Sequence, residues 1–198
     1  MPVPRLELTL RDGTPIVARP LTQADREGVA EAYCRLSPES RYHRFWTRTG
    51  EVIGERMLDR LLDADQAGHG IWALLDPARE SPALGAASYW RSADDPAEAE
   101  FTVTVLDDDQ QRGAATLLLA ILWLQAFANG IEHFIGYVMP ENRRAARWMT
   151  ATGATGEWDG YKLVFRWDLT DPAALPLTRA GGELAEWLTL LAPLFLPA

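Results

Sequence analysis

A strand, a glycine-bearing loop and an apolar helix, in that order, form the part of the sequence best placed to do chemistry. Residues 98–105 alternate between polar and apolar side chains, with Glu98 and Glu100 on one face, which predicts a half-buried strand. After the loop DDDQQRG, an apolar run from Ala114 to Ala128 has the length of about four helical turns. The first N–H groups of such a helix lack partners and lie at the positive end of its dipole. The loop is therefore a candidate anion cradle.

Length and composition favour one domain that does not bind nucleic acid. The chain has 198 residues, 47% of them apolar, which suffices for a sizeable core. Its formal net charge of −9 at pH 7 argues against a nucleic-acid partner, because that binding depends largely on Lys and Arg neutralising phosphates. A cationic or amine-bearing substrate suits this negative field better.

Three features of the sequence predict a cytoplasmic protein. The single cysteine, Cys34, rules out an internal disulfide framework, and its simplest interpretation is a small buried helix residue. The segment MPVPRLELTL is too short and too strand-like for a secretory signal. The run from Ala114 to Ala128 is shorter than the roughly 20 residues that cross a bilayer and contains Gln125, so we expect a core helix and no membrane partner.

The order of the remaining predicted elements indicates a mixed α/β or α+β domain with one sheet. Early helices follow a short hairpin at Asp12-Gly13, and strands alternate with helices later in the chain. Further strands are predicted at residues 6–10, 16–19, 70–75, 84–90, 133–138, 154–155 and 161–167. Further helices are predicted at residues 24–36, 37–46, 51–62 and 140–152.

The tail, residues 170–198, differs in character from the domain predicted for residues 1–169. A short helix is predicted after Gly181-Gly182, and its apolar face is formed by Leu184, Trp187, Leu188 and Leu191. An apolar face of this size must be covered. We expect it to dock on the domain or on a partner subunit, and a homodimer is one such arrangement.

Motifs on both sides of the loop carry a family resemblance. Gln110 to Ala115, QQRGAA, has the pattern Gln or Arg, two residues, Gly, one residue, Gly or Ala, between a strand and a helix. The acid-flanked strand AEFTV precedes it, and GIEHFIGYV and PENRRAARWMTATGA follow it. Together with an N-terminal block, residues 10–46, these motifs resemble the GCN5-related N-acetyltransferase (GNAT) family over about residues 6–167. The loop corresponds to the acetyl-CoA signature of that family.

The N-terminal block narrows the resemblance. Residues 37–45, SPESRYHRF, are similar to the acetyltransferase portion of bacterial protein-lysine acetyltransferases linked to cyclic nucleotides. The resemblance implies a mostly antiparallel twisted sheet flanked by helices, and an acetyl-CoA-dependent N-acetyltransferase whose acceptor is a small amine or a protein lysine. Since the length leaves no room for a cyclic-nucleotide-binding domain, we expect the catalytic domain alone.

The resemblance also implies a coenzyme site. In the family, backbone N–H groups of the loop hold the pyrophosphate, and the preceding strand offers its edge to the pantetheine amides. Gly113 allows the close backbone approach that a pyrophosphate needs, and small Ala115 lies behind it. The implied coenzyme-binding residues are Val103, Thr104, Val105, Gln110, Gln111, Arg112, Gly113, Ala114, Ala115, Thr116 and Asn142.

Three aspartates at the start of the loop DDDQQRG oppose a phosphate site. Asp107, Asp108 and Asp109 would each repel a nearby phosphate charge by about 1 kcal/mol at short exposed range. Their side chains are therefore expected to point away from the anion. Acids at a helix N-terminus also cap the helix and complement its dipole.

The mechanism that the resemblance implies is direct transfer with a general base, because an ammonium group has no lone pair for attack on a thioester. In the lysine acetyltransferases a glutamate on the strand before the loop is that base, and here this residue is Glu100. Glu98 lies on the same face roughly 7 Å away, where each charge would raise the pKa of the other carboxyl. Carboxylates that only solvate a strand edge are the alternative interpretation.

The proton donor and the acceptor pocket are less defined. Many family members have a tyrosine seven residues after the helix-opening asparagine, and here Met149 has that position. Tyr137 and Tyr161 are weak substitutes. Residues 40–46, SRYHRFW, either wall the acceptor side or form an ordinary amphipathic helix.

The histidines do not cluster with acids or with the cysteine at ligand spacing, so no metal is expected.

Two other functions fit parts of the sequence. The methionine at the tyrosine position and the apolar tail are consistent with a non-catalytic acyl-CoA-binding or sensing module. A structural subunit with a degenerate loop is the remaining alternative.

Overall fold

The computed structural model describes residues 5–79 and 81–196, which form one eight-stranded sheet and six α-helices. The strands are β1 (Leu6–Thr9), β2 (Pro15–Pro20), β3 (His69–Leu75), β4 (Gly85–Arg91), β5 (Glu98–Val105), β6 (His133–Val138), β7 (Thr155–Trp158) and β8 (Leu163–Asp168). The helices are α1 (Arg26–Arg35), α2 (Pro38–Phe45), α3 (Glu55–Leu62), α4 (Ala114–Ala128), α5 (Arg143–Ala151) and α6 (Arg179–Phe195).

The sheet has the strand order β1-β2-β3-β4-β5-β6-β8-β7. Every neighbouring pair is antiparallel except β5 and β6, which run parallel because α4 connects them as a crossover. The prediction of a mixed α/β fold with a mostly antiparallel sheet flanked by helices is confirmed.

The two faces of the sheet are covered by different helices. Successive strand residues point to opposite faces, so Ile16 and Ala18 of β2 pack in the cluster that contains α4, whereas Val17 packs in the cluster that contains Leu62 of α3. Helices α5 and α6 add apolar side chains to the α4 cluster. The sheet is therefore the middle layer of three.

Helix α4 is the core of the domain, with the bounds predicted from its apolar run. Its side chains are buried from Thr116 to Ala126, and Gln125 is the polar exception near its end. The Gln125 side chain accepts a hydrogen bond from Trp72 Nε1 at 2.5 Å and donates one to the Gln66 carbonyl at 2.7 Å. These bonds offset the cost of burying an amide. No helix within the described residues is long and apolar enough to cross a membrane.

Several early predictions require correction. Helix α3 begins at Glu55 rather than Glu51, because Gly54 is extended and forms its N-cap, and Val52 is 85% exposed instead of belonging to an apolar stripe. Cys34 is exposed on α1, not buried. The helix expected from residue 24 starts as a short 3₁₀ turn capped by Thr22, and α1 follows it.

Helix α6 begins before the double glycine that was expected to precede it. The Thr178 side chain caps the helix by accepting a hydrogen bond from Gly181 N at 2.9 Å. Gly181 serves close packing rather than chain reversal, because a Cβ there would collide with the Pro176 carbonyl. Leu184, Leu188 and Leu191 are buried, so the apolar face of the tail packs on the domain beside α4.

Burial along α6 predicts a difference between two of its leucines. Leu184 is fully buried, whereas Leu190 is 60% exposed. We expect Leu184→Ala to lower the free energy of unfolding by about 2–5 kcal/mol, since it leaves a cavity in the core, and Leu190→Ala to change it by less than about 1 kcal/mol. Urea unfolding of the two variants measures both values. Equal effects would show that α6 does not pack as described.

Candidate active site

The candidate site is a cleft that begins where two adjacent strands stop pairing. Strands β5 and β6 pair at Glu98↔His133, Ala99↔Phe134 and Glu100↔Ile135. From residue 101 to residue 105, β5 pairs with β4 alone. The other edge of this half-strand faces an opening, so its backbone polar groups are available to a ligand.

A cavity of about 1290 Å³ occupies this opening. Its walls come from α2, the second half of β5, the loop before α4, the end of β6, α5 and the first turns of α6. Sites for drug-sized ligands are typically about 300–1,000 Å³, so this cavity has room for a larger ligand. All eleven residues predicted to bind the coenzyme line it, and so does Glu100.

The N-terminus of α4 provides unpaired hydrogen-bond donors at the cavity. Gly113 is the N-cap and has φ of 89°, a left-handed conformation that favours glycine. Leu117 N donates to Gly113 O at 3.0 Å, and no described group accepts a hydrogen bond from the N–H groups of residues 113–116. Converging free N–H groups at a helix N-terminus fit a phosphate group.

The side chain of Arg112 is held away from a ligand by other residues. Its Nε donates to Asp12 Oδ2 at 2.7 Å, a terminal nitrogen donates to Asp109 Oδ1 at 2.8 Å, and the other donates to Thr14 Oγ1. The hydrogen bond from Arg112 is the largest influence on Asp12 and lowers its pKa to about 2. Arg112 therefore offers the cavity its backbone rather than an unpaired positive charge.

The acids before the loop have protein partners. Asp107 accepts hydrogen bonds from Ser37 N at 3.0 Å and Ser40 Oγ at 2.7 Å, so it connects the loop to the N-terminus of α2. Burial raises the pKa of Asp107, but these hydrogen bonds outweigh burial and the pKa is lowered. Asp109 is paired with Arg112, and Asp108 does not line the cavity. These contacts turn the carboxylates toward protein donors.

Helix α5 forms the opposite wall. Asn142 caps it by accepting a hydrogen bond from Ala145 N at 3.1 Å. Met149 lies on the same helix and packs against Gly136. A Cβ added at Gly136 would lie 3.0 Å from the methyl carbon of Met149. A buried thioether at this position cannot donate a proton.

The two glutamates of β5 have different surroundings. Glu98 forms an ion pair with Arg166 of β8, so it is not the unpaired neighbouring carboxylate that the sequence suggested. Glu100 is exposed at the last pair between β5 and β6 and lines the cavity. Of the two, Glu100 is the carboxylate that a ligand in the cleft can reach.

The segment at residues 40–46 combines both roles that the sequence left open. Arg44 and Trp46 line the cavity. Arg41, in contrast, is buried and donates to the Leu36 carbonyl at 2.8 Å, while Phe45 packs on Tyr33 with ring centres 5.4 Å apart. One side of α2 is thus a cleft wall and the other is core.

Charged and aromatic groups surround Glu100 on this side. Burial lowers the pKa of Arg44, an effect that the charge of Glu100 opposes. Burial raises the pKa of Tyr137, and the charges of Glu100 and Asp159 act in the same direction. Lys162 Nζ lies 3.8 Å from the centre of the Tyr137 ring. The described residues include no group of His, Cys, Asp and Glu that could hold a metal ion.

The sequence did not indicate that the tail reaches the cavity. Residues at the start of α6 line it, namely Thr178, Arg179, Ala180 and Glu183. No pattern within the tail signals this role. It follows from the packing of α6 beside α4, which brings residues distant in sequence to the same loop.

Two parallel strands separate at a carboxylate within a mostly antiparallel sheet, and this arrangement is typical of the acyl-CoA N-acyltransferase fold. Residues 16–155 match the family model described as acetyltransferase (GNAT) domain. The chain therefore belongs to the GNAT acetyltransferase family, whose members use acetyl-CoA.

Two curated proteins are similar in sequence. Acetyltransferase PA5475 of Pseudomonas aeruginosa is 30% identical over 152 residues, which are 76% of this chain and 81% of that protein. Acetyltransferase Pat of Mycolicibacterium smegmatis is 28% identical over 153 residues, which are 77% of this chain. The chain covers 44% of the length of Pat, so it spans less than half of that relative.

Solved structures share the fold. The GNAT domain of S. lividans PAT has a TM-score of 0.77 and 25% identity, over 83% of this chain and 96% of that one. YncA of Salmonella typhimurium, described with its cofactor acetyl-CoA, has a TM-score of 0.59 and 19% identity, over 78% of this chain and 94% of that one.

The pairing of Arg112 with Asp12 predicts an unusual titration. We expect the carboxyl carbon of Asp12 to titrate by NMR near pH 2 in the native protein and at a higher pH in Arg112→Gln, which loses the largest of the interactions that lower this pKa. Because the folded pKa is depressed, this pair stabilises the fold above the unfolded pKa, and that stabilisation is lost as pH falls through about 2. Arg11→Gln is the control, since Arg11 pairs with Glu186. An unchanged midpoint in Arg112→Gln would contradict the assignment.

Proposed function

We propose that this protein transfers an acetyl group from acetyl-CoA to a primary amine, on a protein lysine or a small molecule, by direct transfer with Glu100 as general base. The observation that supports this most is the position of Glu100 at the point where β5 and β6 separate. There a single opening holds a reachable carboxylate, a free strand edge and an N–H cradle.

The donor half of the site is formed by backbone groups. The N–H groups of residues 113–116 would hold the pyrophosphate, and the open edge of β5 at residues 103–105 would bind the pantetheine amides. Asn142 keeps an amide group free for the coenzyme, because its capping bond uses Oδ1. When bound, acetyl-CoA supplies the acetyl group as a thioester.

The acceptor half depends on a proton transfer. Glu100 would take a proton from the ammonium group of the acceptor, directly or through a water, so that the nitrogen lone pair can attack. The new nitrogen–carbon bond replaces the carbon–sulfur bond, and the thiolate takes up a proton. Arg44 on α2 also lines the cavity, and its positive charge interacts with the charge of Glu100.

This role for Glu100 predicts a specific loss of activity. We expect Glu100→Gln to lower kcat/KM about 10²- to 10⁴-fold in a thiol-release assay with acetyl-CoA and an amine. The deficit should shrink above the pKa of the acceptor amine, because the neutral amine no longer needs a base. Glu157→Gln, on the exposed strand β7, is the control and should retain activity. A rate in Glu100→Gln equal to that of the wild type would remove Glu100 from the mechanism.

We further propose Tyr137 as the group that protonates the thiolate, since Met149 cannot. Tyr137 lies on β6 at the cavity, and its raised pKa keeps the hydroxyl protonated. We expect Tyr137→Phe to lower kcat about tenfold or more with little change in the dissociation constant of the coenzyme. Tyr161→Phe, at a ring 75% exposed, should have a smaller effect, and the reverse ranking would assign the donor to Tyr161.

A second candidate is a non-catalytic acyl-CoA-binding module. The buried Met149 in place of a hydroxyl favours it. Calorimetry distinguishes the two functions: coenzyme binding without thiol release over a panel of amines and lysine peptides would support the module, and release would exclude it.

A further inference from the structure

A buried carboxylate from the tail contacts the loop that would hold the pyrophosphate. Glu183 on α6 is 7% exposed, and its Oε1 atom is buried with no hydrogen-bond partner among the described residues. It lies against the backbone of Gly113, because a Cβ at Gly113 would collide with Glu183 Oε1. Glu183 also lines the cavity. A side chain of another segment thus points at the N-terminus of α4.

No basic side chain in the described parts of the chain forms an ion pair with this carboxylate. The guanidinium of Arg112, on the same loop, is bonded to Asp12 and Asp109. Arg11, which approaches α6, pairs with Glu186 one turn further along that helix. The guanidinium groups of Arg112 and Arg11 are therefore engaged elsewhere, and Arg179, one turn before Glu183 on α6, lines the cavity without forming a described ion pair to it.

The positive end of α4 is the feature that favours an anion at this place. Its first N–H groups have no acceptors in the described part of the chain, and a helix N-terminus carries roughly half a positive charge. Glu183 lies in this field without accepting a hydrogen bond from it. A pyrophosphate bound at residues 113–116 would use the same field, and two anions that share it repel each other.

We propose that Glu183 is an internal anion that competes electrostatically with the coenzyme pyrophosphate and so sets the affinity of the site for the coenzyme. This inference rests on the proposed function, because it requires a coenzyme at the loop. Glu183 lies outside residues 16–155, the segment that matches the family model. The tail therefore adds an affinity-determining residue to a site whose loop and open strand edge lie within the matched segment.

The backbone of α6 holds the carboxylate in place. Leu184, next in the chain, is fully buried, and Gly181 has no room for a side chain against Pro176. Thr178 at the start of the helix donates a hydrogen bond to the Ala151 carbonyl at the end of α5. Because the helix is anchored at both points, the charge stays near the loop unless the side chain itself rotates.

The test is the dissociation constant of coenzyme A, measured by isothermal titration calorimetry on the full chain. Glu183→Gln removes the charge and preserves size, so we expect a dissociation constant about tenfold lower than that of the wild type. Glu186→Gln removes one charge from the exposed face of the same helix and should change the value less than about twofold. Glu183→Met is a second charge-free variant, and thermal unfolding confirms that each variant is folded.

Three outcomes are separable. Tighter binding in both Glu183→Gln and Glu183→Met, with no change in Glu186→Gln, supports the inference. A dissociation constant in Glu183→Gln that is equal to or higher than that of the wild type overturns the inference and leaves the proposed function intact. A higher value would make Glu183 a ligand of the coenzyme. Absence of coenzyme binding in every variant overturns the proposed function and this inference together.

Discussion

The end of pairing between β5 and β6 is the constraint on which the site depends. These are the one parallel pair in the described sheet, and their ladder stops at Glu100↔Ile135. Up to that point the strands are joined by hydrogen bonds; beyond it, β5 keeps a free edge and the cavity opens. Glu100 lies at the boundary. The same divergence thus opens the cleft and positions the carboxylate, so the proposed donor and acceptor halves of the site share one geometric origin.

Ion pairs and hydrogen bonds of individual carboxylates, rather than the net charge of the chain, determine the charge around the cleft. The acidic chain places many carboxylates near a site that is proposed to bind phosphates, and several of them have specific partners. Asp107 is bonded to the N-terminus of α2, while Asp12 and Asp109 share the guanidinium of Arg112. Glu98 is paired with Arg166. Glu100 and Glu183 form no such pair with any described residue, and both line the cavity, Glu100 where β5 separates from β6 and Glu183 beside Gly113.

Elements with strong periodicity were predictable from the sequence, and elements fixed by tertiary contacts were not. The bounds of α4 followed from its apolar run, and the strand at residues 98–105 followed from its alternation. The predicted start of α6 was wrong because glycine usually ends a helix. At Gly181 the glycine is instead required by close packing against Pro176, which one sequence does not show. For the same reason the sequence showed neither the pairing of Glu98 nor the approach of Glu183 to the loop.

The polar contact at Gln125 has a geometric consequence for the far end of α4. Helix α4 is apolar and buried on nearly every side, so many rotations about its axis would bury a similar apolar area. Burial alone therefore does not fix the rotation of the helix. The bonds from Trp72 to Gln125 and from Gln125 to Gln66 break this degeneracy, because other rotations would strand a buried amide. Gln125 lies roughly 18 Å along the axis from Gly113. This hydrogen-bonded amide, together with the bond from Trp123 Nε1 to the Leu169 carbonyl, thus helps to fix the rotation of α4 at which the N–H groups of its opposite end point into the cleft.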